Sequence, residues 1–365
     1  MKRTVYYRIA DITLCSEITL PSFAAFACEP SEPDVTLCRT SDTAPAGKEI
    51  VSGSIVHRCL PDGWFCHSPH SDAEGLFISG DYTELRYCGD QGAYGAIMAE
   101  RYVRLALECL LVRRGYVSIH AAAVELDGAA YAFTGPSGIG KSTRAGVWTE
   151  TFGARLINGD RPLVCVDTLE LFGMPWDGKE QCFRNVRMPL RAILEVRRAE
   201  FVRVRRLSTA QRRRLLVCQC FMPMWDTETA VIQMRNLIRL SQKADILRAF
   251  SGKTPEEAGL LRGMIDQKCC QGEETDMKAK QGFILRKVAG EYVLMPTDTN
   301  IGVYNGAVLL NSVSAFVWEQ MQKEVTRDEL LAAVMDEFEV DEETAGKDLD
   351  MLLEKLAGMD LIEKI

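Results

Sequence analysis

The residues best suited to chemistry lie in one short stretch, FTGPSGIGKST, which covers Phe133 to Thr143. The stretch fits the pattern G-x-x-x-x-G-K-[ST], in which glycines let backbone N–H groups surround phosphate oxygens. The lysine of this pattern reaches the β and γ phosphates, and the hydroxyl ligates Mg²⁺. The stretch therefore predicts a phosphate-binding loop. Its residues are Gly135, Pro136, Ser137, Gly138, Ile139, Gly140, Lys141, Ser142 and Thr143.

The segments on either side of this loop support the prediction. Ala129 to Thr134 is an apolar, aromatic-rich run of strand length, and Ser142 to Thr151 has helical spacing before Gly153, a suitable residue to end a helix. A strand, a glycine loop and a helix in this order place bound phosphates at a helix N-terminus, where free N–H groups favour anions. The alternative is a glycine-rich turn with an incidental lysine.

Composition bounds the class of protein. The chain has 365 residues, of which 47% are apolar and 26% charged, so it is globular with room for two or three domains. Its N-terminus lacks an apolar signal region, and no run approaches the length that spans a bilayer. Its cysteines include no C-x-x-C pair that would suggest a zinc site. We therefore expect a cytoplasmic protein with no membrane partner.

Positive charge is concentrated in one segment, although the chain carries a net charge of −8. Arg197 to Arg214 holds eight arginines and one glutamate. This cluster could bind an acidic peptide, a nucleic acid or the chain's own acidic C-terminal part, or it could be a solvated strand face. No interleaved aromatic residues accompany it, so we expect no nucleic-acid partner.

The pattern along the chain predicts four segments. Residues 1–115 alternate apolar and polar side chains between frequent turns, which predicts an antiparallel β-rich module that ends in a helix over Ala93 to Val112. Residues 116–270 contain the glycine loop and alternate strands with helices, which predicts the nucleotide-binding domain. Residues 271–281 are polar and unpatterned, and predict a linker.

The last segment, residues 282–365, predicts a small winged-helix-like domain. It begins with a hairpin that turns near Ala289 and Gly290. Helical periodicity then predicts three helices, over residues 311–321, 326–337 and 342–357. Thr326 and Glu329 have the spacing of a capping box. The segment offers no residues for catalysis, which favours a role in binding.

Two side chains near the loop in sequence could take part in phosphoryl transfer. Asp160 follows Ser142 by 18 residues, at the end of the next strand, where a carboxylate can bind Mg²⁺ or accept the proton of an attacking hydroxyl. His120 lies on the preceding strand, joined to the loop strand by a turn at Asp127 and Gly128. The alternatives are an aspartate that caps a turn and a buried, hydrogen-bonded histidine.

The stretch YVSIHAAAVELDGAAYAFTGPSGIGKST, with the NGDRP that follows, resembles the HPr kinase/phosphorylases and HPr-kinase-like enzymes. The resemblance covers Ser118 to about Pro162. It implies an α/β fold with a P-loop core, and ATP and Mg²⁺ as cofactors. It also implies that Lys141 contacts the phosphates, Ser142 holds Mg²⁺, His120 lines the transfer site, and an Asp of the acidic pair that includes the Asp160 position is the general base.

This sequence departs from the family at one position, because Gly159 replaces the first of two acidic residues. Asp160 could serve alone as base or metal ligand, the catalytic role could have moved, or the protein could only bind nucleotide. A subset of such proteins has NGDRP followed by G-x-P-W-x-G-K-E, and Gly173 to Glu180 matches that second motif.

Charged side chains in and after the second motif suit phosphoryl transfer. Lys179 and Arg184 could stabilise charge on the transferring group, and Glu180 could be a further Mg²⁺ ligand. The alternative is a surface turn packed around Trp176.

Residues 282–365 resemble PqqD, the peptide chaperone of pyrroloquinoline-quinone biosynthesis, in their hairpin and helix endings. The resemblance implies that a precursor peptide adds as a strand to the edge of the hairpin. Together the two resemblances predict a kinase that phosphorylates a Ser or Thr hydroxyl on a small peptide or protein. The alternatives are a non-catalytic, ATP-sensing peptide chaperone, an HPr kinase proper and a free-serine kinase. The HPr kinase family further implies a possible homo-oligomer.

Overall fold

The protein is described by a computed structural model that covers residues 4–44, 46–176, 178, 181–182, 184–270, 276–288, 290–297, 307–338 and 340–364. The chain forms two compact units. Residues 1–203 with 213–265 form the first unit, and residues 204–212 with 266–365 form the second. Within the described ranges, no helix has the length and apolar character needed to cross a membrane.

A sheet of short strands opens the first unit. Its strands are β1 (Val5–Ile9), β2 (Ile12–Ser16), β3 (Ala27–Cys28), β4 (Val35–Arg39), β5 (Glu49–Ser52), β6 (Ile55–Leu60), β7 (Gly63–Ser68), β8 (Ser71–Ser79) and β9 (Glu84–Cys88). A 3-10 helix, Pro21–Phe26, precedes β3. The strand order is β3-β1-β2-β4-β9-β8-β7-β6-β5.

Most neighbours in this sheet are antiparallel, as the alternating pattern predicts, but β4 is parallel to both β2 and β9. The prediction of an antiparallel module is wrong at these two pairs. The 3-10 helix and β3 separate β2 from β4, and four strands separate β4 from β9, so neither pair is joined by a hairpin turn.

The helix predicted over residues 93–112 is confirmed as α1 (Ala93–Arg113). Its buried side chains recur at helical spacing, as at Ala99, Tyr102, Val103 and Ala106. They pack against the buried face of the first sheet in one apolar core.

The rest of the first unit contains a mixed sheet with helices, together with segments that continue into the second unit. The strands are β10 (Tyr116–Ser118), β11 (Ala121–Leu126), β12 (Ala129–Thr134), β13 (Arg155–Asn158), β14 (Leu163–Cys165), β15 (Glu170–Phe172), β16 (Arg187–Arg198), β17 (Arg203–Arg206) and β18 (Ile246–Ser251). The helices are α2 (Lys141–Phe152), α3 (Thr209–Gln219), α4 (Thr227–Lys243) and α5 (Pro255–Cys270).

The glycine loop follows a central strand of this sheet. The order is β10-β14-β15-β16-β12-β11-β13. Strand β16 is parallel to its neighbour β12, and it also pairs in parallel with β18, which lies off this order. A strand buried on both faces has a continuous apolar sequence, which explains the AAYAFT of β12. Helix α2 packs back on the sheet through Trp148, whose ring contacts Tyr131 and Phe133. The predicted strand, loop and helix are therefore confirmed as secondary structure.

The second unit has a three-stranded sheet and three helices. It contains β19 (Met277–Ala279), β20 (Phe283–Val288), β21 (Glu291–Pro296), β22 (Val308–Leu310), α6 (Ser312–Gln320), α7 (Arg327–Glu337), α8 (Glu342–Gly358) and β23 (Ile362–Lys364). Strands β20, β21 and β22 pair in that order. The predicted hairpin, three helices and capping box are confirmed, since the Thr326 hydroxyl accepts from Glu329 N and the Glu329 carboxylate accepts from Thr326 N.

The predicted linker over residues 271–281 contains a strand. Met277 to Ala279 form β19, which pairs antiparallel with β23. Met277 and Ala279 are buried, and only Lys278 between them is polar. An alternation of three residues is too short to stand out in a polar segment, which is why the pattern did not reveal the strand.

Candidate functional site

The glycine loop turns sharply between β12 and α2. Gly135, Gly138 and Gly140 have φ angles of 137°, 77° and 105°. Side chains other than glycine rarely adopt such angles, so these three positions require glycine. The backbone N–H groups at the start of α2 have no helical acceptor and can bind an anion. Ser142 and Thr143 lie in this first turn and are exposed.

Lys141 is buried within this loop, at 8% exposure. Its Nζ donates to the carbonyl oxygens of Gly135, at 3.0 Å, and Pro136, at 3.3 Å. Burial lowers the pKa of Lys141, and the nearby Asp160 carboxylate opposes that shift. The ammonium group is thus held inside the turn, where it can neutralise charge on a bound anion.

His120 and Asp160 lie together beside the loop. The His120 Nε2 is 3.5 Å from Asp160 Oδ1, and the two side chains are 30% and 29% exposed. Burial lowers the pKa of His120, as do the positive charges of Lys141 and Arg161, while Asp160 opposes the shift. Neutral imidazole is therefore favoured at physiological pH, and the mutual effects show that His120, Asp160 and Lys141 share one region.

The backbone places His120 between two strands, and the prediction that it lies on a strand is wrong. β10 pairs with β14, whereas β11 pairs with β12 and β13, so the chain changes partners at Ile119 and His120. The His120 N–H donates to Gln219 O, and its carbonyl accepts from the Thr134 hydroxyl. These two bonds fix the His120 backbone next to the end of the loop strand.

Asn158 positions Asp160, and sequence reasoning did not single it out. It is fully buried, and its Oδ1 accepts from the N–H groups of Asp160, at 3.1 Å, and Arg161, at 2.7 Å. Its Nδ2 donates to Trp176 O at 2.9 Å. One side chain thus joins the Asp160 turn to the second motif, and the asparagine of NGDRP was the available signal, since asparagine often forms such turns.

The second motif is only partly described. Lys179 and Glu180 lie outside the described residues. Trp176 is 6% exposed and belongs to the core of the first unit, and the Arg104 guanidinium lies 5.6 Å from its ring centre. Trp176, inside the second motif, is therefore a buried residue of this core.

Arg184 is bound to the backbone of β13. Its Nη1 donates to Leu156 O at 2.9 Å, four residues before Asp160 in the chain. The structure thus ties Arg184 to the strand that leads into the Asp160 turn, and its predicted catalytic role stays a prediction.

The second unit contains an apolar cavity of about 370 Å³ between α6, α7 and α8. Asn311, which directly follows β22, lines it together with Val313, Phe338 and Leu352. Two apolar side chains of the unit are exposed: Leu309 on β22, at 66%, and Met351 on α8 beside the cavity, at 62%. In the ranges that the structure covers, β22 pairs with β21 alone, so its other edge is open.

Comparison with known proteins identifies part of the second unit. The family described as coenzyme PQQ synthesis protein D (PqqD) matches residues 291–362. A solved structure described as TbiB1 in complex with the TbiA(beta) leader peptide is 24% identical over 24% of this chain and 94% of that chain, with a TM-score of 0.20. No curated protein matches the chain. The chain therefore carries a PqqD-like domain at its C-terminal end.

Proposed function

We propose that the protein is an ATP- and Mg²⁺-dependent kinase that phosphorylates a Ser or Thr hydroxyl on a peptide bound by its PqqD-like domain. The observation that carries the proposal is the placement of buried Lys141 in a glycine turn near the His120–Asp160 pair. Phosphoryl transfer needs mainly positioning, charge neutralisation and a group that accepts the proton of the hydroxyl.

The residues of the loop fit a nucleoside triphosphate with Mg²⁺. Three glycines with positive φ allow the backbone N–H groups to turn inward, and Lys141 supplies a positive charge that the loop's own carbonyls hold in place. Ser142 is exposed at the first turn of α2 and would hold Mg²⁺ together with Asp160. When bound, the nucleotide supplies the phosphoryl group and the metal ion neutralises its charge.

The remaining residues would orient and deprotonate the acceptor. Asp160 is partly exposed and remains within reach of a ligand, as a general base must. His120, favoured in its neutral form by its surroundings, can accept a hydrogen bond from the acceptor hydroxyl or from a water. Asn158 holds the Asp160 turn in place through two backbone N–H groups.

We further propose that the acceptor peptide binds along β22. The open edge of that strand offers backbone hydrogen bonds, and the adjacent cavity accepts apolar side chains of the added strand. The family match to PqqD, which the sequence resemblance connects with peptide capture, supports this assignment. This differs from the sequence expectation of the hairpin edge, because the free strand of the hairpin, β20, contributes no residue to the cavity.

A non-catalytic alternative is favoured by one residue. Gly159 stands where the resembled kinases have a first carboxylate, which leaves Asp160 as the acidic residue of that motif. On this alternative, ATP binding changes the affinity for a peptide without phosphoryl transfer.

Transfer of labelled γ-phosphate from ATP with Mg²⁺ distinguishes the two functions. The acceptors are short peptides encoded beside the gene, and free serine. We expect label on a peptide with wild type, and loss of that label with Lys141→Ala and with Asp160→Asn. Asp127→Asn is the matched control, because Asp127 is an exposed carboxylate at a turn. ATP binding with no transfer to any acceptor would overturn the kinase proposal and favour the alternative.

A further inference from the structure

The arginine-rich segment contributes a side chain to the glycine loop. Arg198 is the last residue of β16, the parallel neighbour of β12. Its Nη2 donates to Gly138 O at 2.6 Å, and its Nε donates to Ile139 O at 3.3 Å. The guanidinium therefore binds two successive carbonyls at the tip of the loop.

These contacts affect how the backbone of a phosphate loop is oriented toward an anion. Backbone N–H groups can point toward an anion only if the carbonyls between them point away from it. Lys141 binds the carbonyls of Gly135 and Pro136, and Arg198 binds those of Gly138 and Ile139. Arg198 thus holds the two carbonyls at the tip of the loop, whereas Lys141 binds its two carbonyls from inside the turn.

Arg144 binds the first turn of α2 to the ends of β16 and β18. It is 3% exposed, and its Nη2 donates to the carbonyls of Ser251, at 2.5 Å, and Arg197, at 3.2 Å. Its Nη1 lies 3.1 Å from the place that a Cβ on Gly140 would occupy. Burial lowers the pKa of Arg144, and the charge of the nearby Arg198 adds to that shift.

We infer that Arg198 is a positioning residue for the phosphate loop, which holds the Gly138 and Ile139 carbonyls outward so that the neighbouring amides face an anion. The planar guanidinium suits this role, because its Nε and Nη2 donate in a fixed geometry that an ammonium group cannot reproduce. The inference rests on the proposed nucleotide binding and assigns a task to one residue of the arginine cluster that the sequence left open.

Two variants and a control test the inference. Arg198→Lys keeps the charge and loses the two-point contact, and Arg198→Ala loses both. Arg187→Ala is the control, because Arg187 begins the same strand and its side chain is 67% exposed. Calorimetry measures the affinity for ATP with Mg²⁺, and hydrogen exchange of the loop amides is followed in the protein without nucleotide.

We expect both Arg198 variants to weaken ATP binding by roughly tenfold or more and to speed exchange at the loop amides, with Arg187→Ala unchanged in both measurements. Wild-type affinity and exchange in Arg198→Lys would show that charge alone matters and would overturn the inference. If wild type binds ATP and Arg198→Ala matches it in both measurements, the inference fails and nucleotide binding stands. If wild type does not bind ATP and Arg198→Ala still exchanges faster, nucleotide binding fails and the hold on the carbonyls stands.

Discussion

The imidazole Nε2 of His120 lies 3.5 Å from Oδ1 of Asp160, and both side chains are about one third exposed. This distance is too long for a good hydrogen bond, so Asp160 affects His120 mainly by favouring its protonated form. The pair is open to a ligand and at the same time influenced by buried Lys141. Such a site can bind a hydroxyl or a water beside the two groups.

Replacement of Asp160 tests the coupling in this pair. Asp160 opposes the lowering of the His120 pKa that burial, Lys141 and Arg161 cause. Asp160→Asn removes that negative charge, so we expect the pKa of His120 to fall further below its ordinary value. An NMR titration of the imidazole signals measures this, with His120→Gln to assign the resonance. An unchanged or raised pKa would contradict the arrangement.

Gly173 is a position where the second motif tolerates no side chain. A Cβ on Gly173 would stand 2.0 Å from Arg184 O, which is backbone and cannot move aside cheaply. We expect Gly173→Ala to lower the free energy of unfolding by about 1–3 kcal/mol, the usual cost of overpacking. Gly146→Ala is the control in chemical denaturation. Gly146 lies inside α2 with open space around it, so the change should stabilise by about 0.5–1 kcal/mol.

A buried histidine makes the first unit sensitive to acid. His57 is fully buried, stacks on Trp225 at 3.7 Å and lies 3.1 Å from the Cys66 thiol. Burial and the neighbouring His67 lower the pKa of His57 to about 4, and burial raises the pKa of Cys66, so the thiol stays protonated.

This histidine has a predictable effect on stability. In the unfolded chain His57 binds a proton near pH 6.5, whereas in the folded protein it does so only near pH 4. The stability that neutral His57 contributes is therefore complete above pH 6.5 and is lost as the pH falls toward 4. The loss at pH 4 should be on the order of 3 kcal/mol. In urea unfolding at pH 7 and pH 4, His57→Phe should lose less stability than wild type by that amount. Exposed His70→Gln should behave as wild type.

Much of the secondary structure could be predicted from the sequence because several local signals agreed with one another. The α2 segment has a glycine loop before it and Gly153, with φ 68°, after it, and both ends were predicted to within one residue. The parallel pairs of β4 were not readable, because they join residues far apart in sequence and turn signals carry no information about them.

The candidate site likewise contains residues that the sequence predicts and residues that it does not. Lys141 and the loop glycines follow from a motif with a mechanical reason for each residue. Asn158 and Arg198 were not found, since Arg198 binds carbonyls of the distant glycine loop and Asn158 joins its own turn to Trp176 O in another segment. The roles of His120, Asp160 and Arg184 stay predictions that the proposed experiments test.

The peptide site can be tested by placing charge on exposed apolar residues. Leu309→Asp and Met351→Asp alter side chains that are 66% and 62% exposed, so neither should reduce the stability of the second unit much. If a peptide adds along β22 and places apolar side chains toward the cavity, each change should weaken peptide binding by more than about tenfold, because a carboxylate would be buried without a partner.

Val288→Asp is the matched control for this prediction. Val288 is an apolar residue at 53% exposure on β20, the opposite edge of the three-stranded sheet. Fluorescence anisotropy with a labelled precursor peptide measures all three variants of the full chain. Binding along β22 requires that Val288→Asp leave the affinity unchanged while the other two reduce it. The reverse result would move the peptide to β20, since only the edge that receives the added strand loses apolar contact when a charge is placed on it.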